Sequence, residues 1–234
     1  MATPPKTSPA SDRARHRPNK KEQGAATREK LLRATVEVIR VNGFAATSTT
    51  MIVEQLGVTR GALNHHFADK EELILAVGKL LLDDGIAQLG AGINAEAPVG
   101  EKLARYADSV LRLYLSGDML VWIDILMTAR RDRTSMRRMR DFFNEMDARS
   151  YDIWMRLFAR DCPDKARLVA ARDVLFNFAA GMAINRIFVK HDGYWRDLLA
   201  FLEQMLLDGL DRPAPTDWPR DRGWVDQFPS SRPC

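Results

Sequence analysis

Cysteine is scarce, with only Cys162 and Cys234 in 234 residues. That excludes a disulfide scaffold, and both read as unpaired thiols of a reducing compartment. Enzyme signatures are missing too. No Gly-x-Ser-x-Gly, P-loop, His-Glu-x-x-His or paired-Cys pattern occurs, and the four histidines offer no base beside a nucleophile. His65 and His66 are adjacent rather than four apart on one helix face, which disfavours a shared metal. No catalytic residue, metal site or cofactor is therefore expected. Long apolar runs are also absent: the stretch Met119 to Ile123 is broken by Asp124, well short of the roughly 20 residues of a bilayer span. Residues 1–30 lack the apolar block of a secretory signal, so cytoplasmic residence without membrane contact is expected.

What is present is the composition of a chain with a real core, 46% hydrophobic and 28% charged. The net charge of +4 is unevenly placed. Residues 1–72 hold 12 Lys and Arg against 8 Asp and Glu, whereas the remainder is balanced. A polyanion is thus the first partner to consider for the N-terminal third. Residues 1–26 combine four prolines with Lys6, Arg13, Arg15, Arg17, Lys20 and Lys21 and no aromatic, the make-up of a disordered basic arm. Such an arm is either a solvated tail or a source of extra phosphate or minor-groove contacts.

From Thr27 apolar residues recur at helical spacing up to Gly43. A short second helix is predicted from Ser48 or Thr49 to Leu56, then a turn at Gly57, then a third helix from Thr59 to about His66. Asp69 followed by Glu72 reads as a capping box opening a fourth. This order predicts a helix-turn-helix whose third helix enters the major groove. Arg60 and Asn64 share one face, opposite Leu63 and Phe67. Arginine can bind guanine, and asparagine adenine, each through two hydrogen bonds. Gly61 permits close approach to a duplex, and Thr49, Thr50 and Lys70 carry groups suited to phosphates.

The stretch Thr27 to Leu73, above all Ile52-Val53-Glu54-Gln55-Leu56-Gly57-Val58-Thr59-Arg60-Gly61-Ala62-Leu63 and His65-His66-Phe67-Ala68-Asp69-Lys70-Glu71-Glu72-Leu73, resembles the DNA-binding domain of TetR-family regulators. The resemblance implies an all-α homodimeric repressor: an N-terminal three-helix domain, then a helical domain that binds a small effector and dimerises through its last two long helices. It implies DNA contacts from Thr49, Thr50, Thr59, Arg60, Gly61, Asn64, His65, His66 and Lys70. Two positions depart from the pattern. Asn64 stands where the family usually has a backbone-touching tyrosine, and Val53 where it usually has alanine.

Beyond residue 73 no strand pattern appears. Helices are expected at 101–116, 118–130, 133–160, 164–191 and 194–210, with breaks at Gly117, Cys162-Pro163 and Gly193. The domain plan is an arm (1–26), a helix-turn-helix domain (27–72), a ligand-binding and dimerisation domain (73–210) and a Pro- and Trp-containing tail (211–234). Tyr106, Tyr114, Met119, Trp122, Asp124, Met127, Trp154, Phe158, Phe178 and Met182, with Phe176 and Phe188, are candidate effector-pocket residues, although such stripes also serve as plain core. Asp124, inside an apolar run, should pair with an arginine or meet a polar effector group. The arginines of 130–140 read as a solvated face, and His191 as a helix-end residue. Ala179, Ala180, Gly181 and Ala183, with the leucines of 198–210, suggest the dimer contact, through residues 164–210.

The expected function is a ligand-responsive homodimeric repressor of a near-palindromic operator. The alternatives are an all-α small-molecule enzyme and a helical interaction module with a basic tail. Salt-titrated binding to DNA and to anionic vesicles separates the last from a DNA reader.

Overall fold

The computed structural model describes residues 20–130, 133–189 and 192–211, and among these no strand occurs. The N-terminal arm up to residue 19, Arg131, His191, Cys234 and the tail beyond 211 lie outside the described residues. The helices are α1 (Lys20–Asn42), α2 (Thr49–Leu56), α3 (Arg60–His66), α4 (Lys70–Gln88), α5 (Val99–Leu115), α6 (Asp118–Ala129), α7 (Arg133–Phe158), α8 (Lys165–Asn185) and α9 (Asp192–Asp211). The chain is all-α, as expected.

The short helices are set by their caps. Ser48 accepts from the Met51 amide at 3.3 Å to open α2, and Thr59 accepts from the Ala62 amide at 3.2 Å to open α3. Between them Gly57 takes φ +65°, which a β-carbon would strain. Asp69 accepts from the Glu72 amide at 2.7 Å, while Glu72 reaches back to the Ala68 amide, also at 2.7 Å. The expected capping box therefore closes one residue earlier than its usual form. Leu31, Ile39, Ile52, Leu63, Phe67, Ile74 and Val77 form the core beneath α1–α4. Val53 is accommodated there, 9% exposed.

Three boundaries differ from expectation. Helix α1 starts at Lys20, so residues 20–26, assigned to the arm, are helical. Only Gly24 interrupts good helix formers there, and Glu22 complements the helix dipole. Helix α8 ends at Asn185, not near 191, because its ladder tightens: Ile187 donates to Ile184 and Phe188 to Asn185. Gly193, expected as a break, lies inside α9. By length and composition α8 would suffice to cross a bilayer, which run length had not suggested. Its packing says otherwise, since it lies against α5, α6, α7 and α9 and buries Leu168, Leu175, Ala179, Met182 and the charged Arg172.

Helix α4 runs from the DNA-binding core into the second domain and touches α1, α5, α6 and α7. At Gly78 it comes so close to α6 that an added β-carbon would lie 2.4 Å from the Trp122 ring. The two helices are held at van der Waals contact by the absence of one methyl group.

Candidate nucleic-acid interface and effector cavity

Helix α3 has an inner and an outer face. Leu63 and Phe67 are buried, and Arg28 of α1 lays its guanidinium over the Phe67 ring at 4.7 Å. Arg60, Gly61 and Asn64 are exposed, so the guanidinium and the carboxamide share the outer face. His65 is exposed, whereas His66 is half-buried beside Phe67, their ring centroids 6.5 Å apart. Thr50 and Thr59 are exposed and Thr49 is half-buried. The Thr59 oxygen is engaged as the α3 cap, which leaves its hydroxyl proton for donation. Lys70 donates from Nζ to the Thr47 carbonyl at 2.7 Å and lies 5.0 Å from the Phe44 ring centroid. Burial there pushes its pKa down. One of its three N–H groups thus fastens the α1–α2 loop to α4, and two remain for a phosphate.

The second domain contains a cavity of about 570 Å³ between α4, α5, α6, α7 and α8. Its walls include Leu82 and Ile86, Leu113 and Tyr114, Met119, Trp122, Ile123 and Leu126, Phe143 and Met146, Val169 and Phe176. Asp147, Ser150, Tyr151, Arg172, Asp173 and Asn177 make a polar end on α7 and α8. Arg172 is 4% exposed and is held by the Asp147 carboxylate, by the Ser150 hydroxyl at 2.7 Å and by Asp173 at 2.9 Å. Burial pushes the Tyr114 hydroxyl up to about 12, with Arg172 pulling it down and Asp147 adding to the rise.

The model of "Bacterial regulatory proteins, tetR family" matches residues 31–77, the stretch from α1 into α4. The HTH-type transcriptional regulator CymR of Pseudomonas putida is 25% identical over 177 residues, covering 72% of this chain and 83% of that protein. The chain is thus similar to bacterial regulatory proteins of the tetR family over residues 31–77, and to a transcriptional regulator over most of its length. Among solved structures, the fatty acid degradation regulator FadR from Bacillus halodurans superposes with a TM-score of 0.62 at 17% identity, over 80% of this chain and 97% of that one. A TetR family regulator from Marinobacter aquaeolei VT8 gives 0.60 at 17%, over 81% and 98%. These two show the shared fold. TetR-family proteins are DNA-binding transcriptional regulators, not enzymes, and they act as dimers with operator DNA and small effectors.

The pocket candidates divide. Tyr114, Met119, Trp122 and Phe176 line the cavity. Tyr106, Trp154 and Phe158 instead stack on one another in the core, with centroids 5.1, 6.0 and 4.1 Å apart. Met127 is 54% exposed, Phe178 and Met182 do not line the cavity, and Phe188 is 78% exposed beyond α8. Asp124 meets neither an arginine nor the cavity: it accepts from the Phe44 amide at 2.6 Å, in the α1–α2 loop. Arg40 of α1 and Asp118 of α6 add a second tie at 2.5 Å. Arg172, Asp147, Ser150 and Tyr151 were not anticipated. A charged residue every turn of a helix looks solvated in sequence, and only burial reveals otherwise. Of the arginine face, Arg137 and Arg140 are exposed and Arg138 reaches Glu71 of α4 at 3.3 Å.

Proposed function

We propose that this chain is a ligand-responsive, homodimeric repressor that reads a near-palindromic operator through α3 and releases it when an effector fills the cavity. The observation that carries the reading is the connection between the two sites. Met119, Trp122, Ile123 and Leu126 of α6 line the cavity, and the same helix holds the α1–α2 loop through Asp124 and Phe44. Helix α4 adds a second route, with Leu82 and Ile86 at the cavity and its N-terminus tied to Thr47 by Lys70. A ligand that favours one α4–α6 arrangement lowers DNA affinity by its differential affinity for the two states.

Base contacts are assigned to Arg60 and Asn64, and backbone contacts to Thr49, Thr50, Thr59, Gly61, His65, His66 and Lys70. With Asn64 in place of tyrosine, that position reads a base edge instead of touching a phosphate.

The dimer is assigned to α8 and α9. Val174 and Ile184 on α8, and Phe201 and Met205 on α9, are 41%, 44%, 68% and 45% exposed, large apolar side chains that a second copy would cover. The small-residue patch contributes less than its sequence suggested. Ala179 and Ala183 are buried within the subunit, while Gly181 has open space where a β-carbon would stand. A DNA regulator acts inside the cell, and we place this one in the cytoplasm. Selection from a random DNA pool tests the function: it should return inverted half-sites with centres about 34–36 Å apart, or a multiple. Recovery of unrelated fragments refutes it.

A further inference from the structure

Resting on the reading of α3 as the DNA reader, we infer that the second domain also touches the duplex: arginines around the start of α7 form an additional phosphate-binding surface beside the helix-turn-helix. Residues 130–140 carry six arginines, Arg130, Arg131, Arg133, Arg137, Arg138 and Arg140, against one acid, Asp132. Arg105, Arg112 and Arg160 of the same domain are each neutralised by a carboxylate, of Glu101, Asp108 and Glu96. Arg130, Arg137 and Arg140 are exposed, and among the described residues no acid pairs with them. Like charges three residues apart on a helix, such as Arg137 and Arg140, repel. A polyanion turns that cost into affinity, because each phosphate contact releases condensed counterions.

Position selects DNA as that polyanion. Helix α7 runs alongside α4 in the same direction: Arg138 meets Glu71 at 3.3 Å, Arg149 meets Asp83, and Gly90 lies against Ile153 and Leu157. Both helices therefore begin at the DNA-binding end. Helix α4 starts one residue before Glu71, at Lys70, whereas α7 starts five residues before Arg138. At 1.5 Å per residue, α7 projects beyond the α4 N-terminus by about 6 Å. Lys70 is assigned a backbone phosphate, so Arg137, next to the tie with Glu71, stands at the level of the duplex. Arg130 is placed from the other side. It follows Asp124 of α6 by six residues, and Asp124 holds Phe44 in the loop that leads into Thr49 and Thr50. An acidic protein or an anionic membrane would also accept guanidinium groups, but it is α3 that brings a partner to this edge, and that partner is a duplex.

The test measures binding of the full chain to a long duplex bearing the inverted half-sites recovered by selection, by fluorescence anisotropy across a salt series. The logarithm of affinity falls against the logarithm of salt concentration with a slope of about 0.9 per phosphate neutralised. Combining Arg130→Gln, Arg137→Gln and Arg140→Gln should flatten that slope by at least about two in a dimer and weaken binding at least about tenfold near 0.1 M salt. Base preference and Tm should not change. The corresponding triple change to lysine, which keeps the charges, should restore the slope. Arg156→Gln removes an exposed arginine about 27 Å further along α7 than Arg138 and should leave the slope unaltered. Should the triple variant not fold, Arg137→Gln alone should flatten the slope by about one or more. An unchanged slope in the folded variants overturns the inference, as does equal flattening per charge by Arg156→Gln, which makes the effect one of overall charge. Binding to phosphatidylglycerol vesicles that the triple variant loses while its operator slope stays intact overturns it too, in favour of a membrane. A native chain that binds no duplex sequence-specifically refutes the DNA reading and this surface together; sequence-specific binding with an unchanged slope in the triple variant removes this surface alone.

Discussion

Replacing Asp124 with alanine should separate sensing from DNA reading. In the native chain its carboxylate accepts the Phe44 amide at 2.6 Å in a partly buried position, and Phe44 N has that oxygen as its partner across 80 residues of sequence. Hydrogen bonds to a charged group contribute about 1.5–3 kcal/mol, and partial solvent access places this one toward the lower end, at about 1–2 kcal/mol. For a chain of this size each kcal/mol moves Tm by about 2–4 °C, so the variant should melt roughly 2–8 °C lower. The same ~1–2 kcal/mol bounds what the tie can transmit, so the effector's fold-change on operator affinity should shrink by up to about 5–30-fold. Operator sequence preference should not change, because Arg60 and Asn64 are untouched. Asp124→Asn, which keeps an acceptor of the same shape, should lose less on both counts. The assay is fluorescence anisotropy on labelled operator with and without effector, beside urea denaturation. A variant with unaltered melting and full effector response would show that α6 carries no coupling through this bond.

Further outcomes follow from other contacts. Arg60→Ala should cost ~1–3 kcal/mol of operator affinity and relax preference at one symmetric pair of base positions, as read by selection on the variant; a uniform loss across sequences would make Arg60 a phosphate contact. Gly78→Ala places a β-carbon 2.4 Å from the Trp122 ring and should destabilise by about 1–3 kcal/mol in urea titrations while shifting tryptophan emission. Asp83 on α4 is partly desolvated, which raises its pKa, but hydrogen bonds from Lys79 and Arg149 outweigh that and hold it below the usual 3.8. Its contribution is therefore complete above that value and lost as pH falls through the depressed folded pKa; in Asp83→Asn this acid-limb component of the stability–pH curve should disappear. Phe201→Lys together with Met205→Lys should yield monomers in sedimentation velocity and abolish tight operator binding.

The DNA-binding half was almost entirely legible in sequence because its determinants are local. Ser48, Gly57, Thr59 and Asp69 act on amides a few residues away, and the i, i+4 spacing of Arg60 and Asn64 follows from helix geometry alone. The effector half was legible as helices but not as a site. Aromatic stripes on α5, α7 and α8 carry the same pattern whether they stack together, as Tyr106, Trp154 and Phe158 do, or line a void, as Tyr114 and Phe176 do. A buried arginine on α8 and a carboxylate on α6 bonded to a loop amide leave no local trace.

Residue order by itself determined the helical class, the caps, the turn at Gly57 and the outward pair Arg60 and Asn64, since each depends on neighbours within one or two turns. Tertiary structure alone decided that Asp124 holds Phe44, that Arg172 is buried with an unpartnered Nε, and that Gly78 admits Trp122. Those relations join residues 44 and 124, 147 and 172, and 78 and 122. The relative placement of whole helices comes from packing their side chains into a common core, a property of all the faces together and of no single stretch of chain.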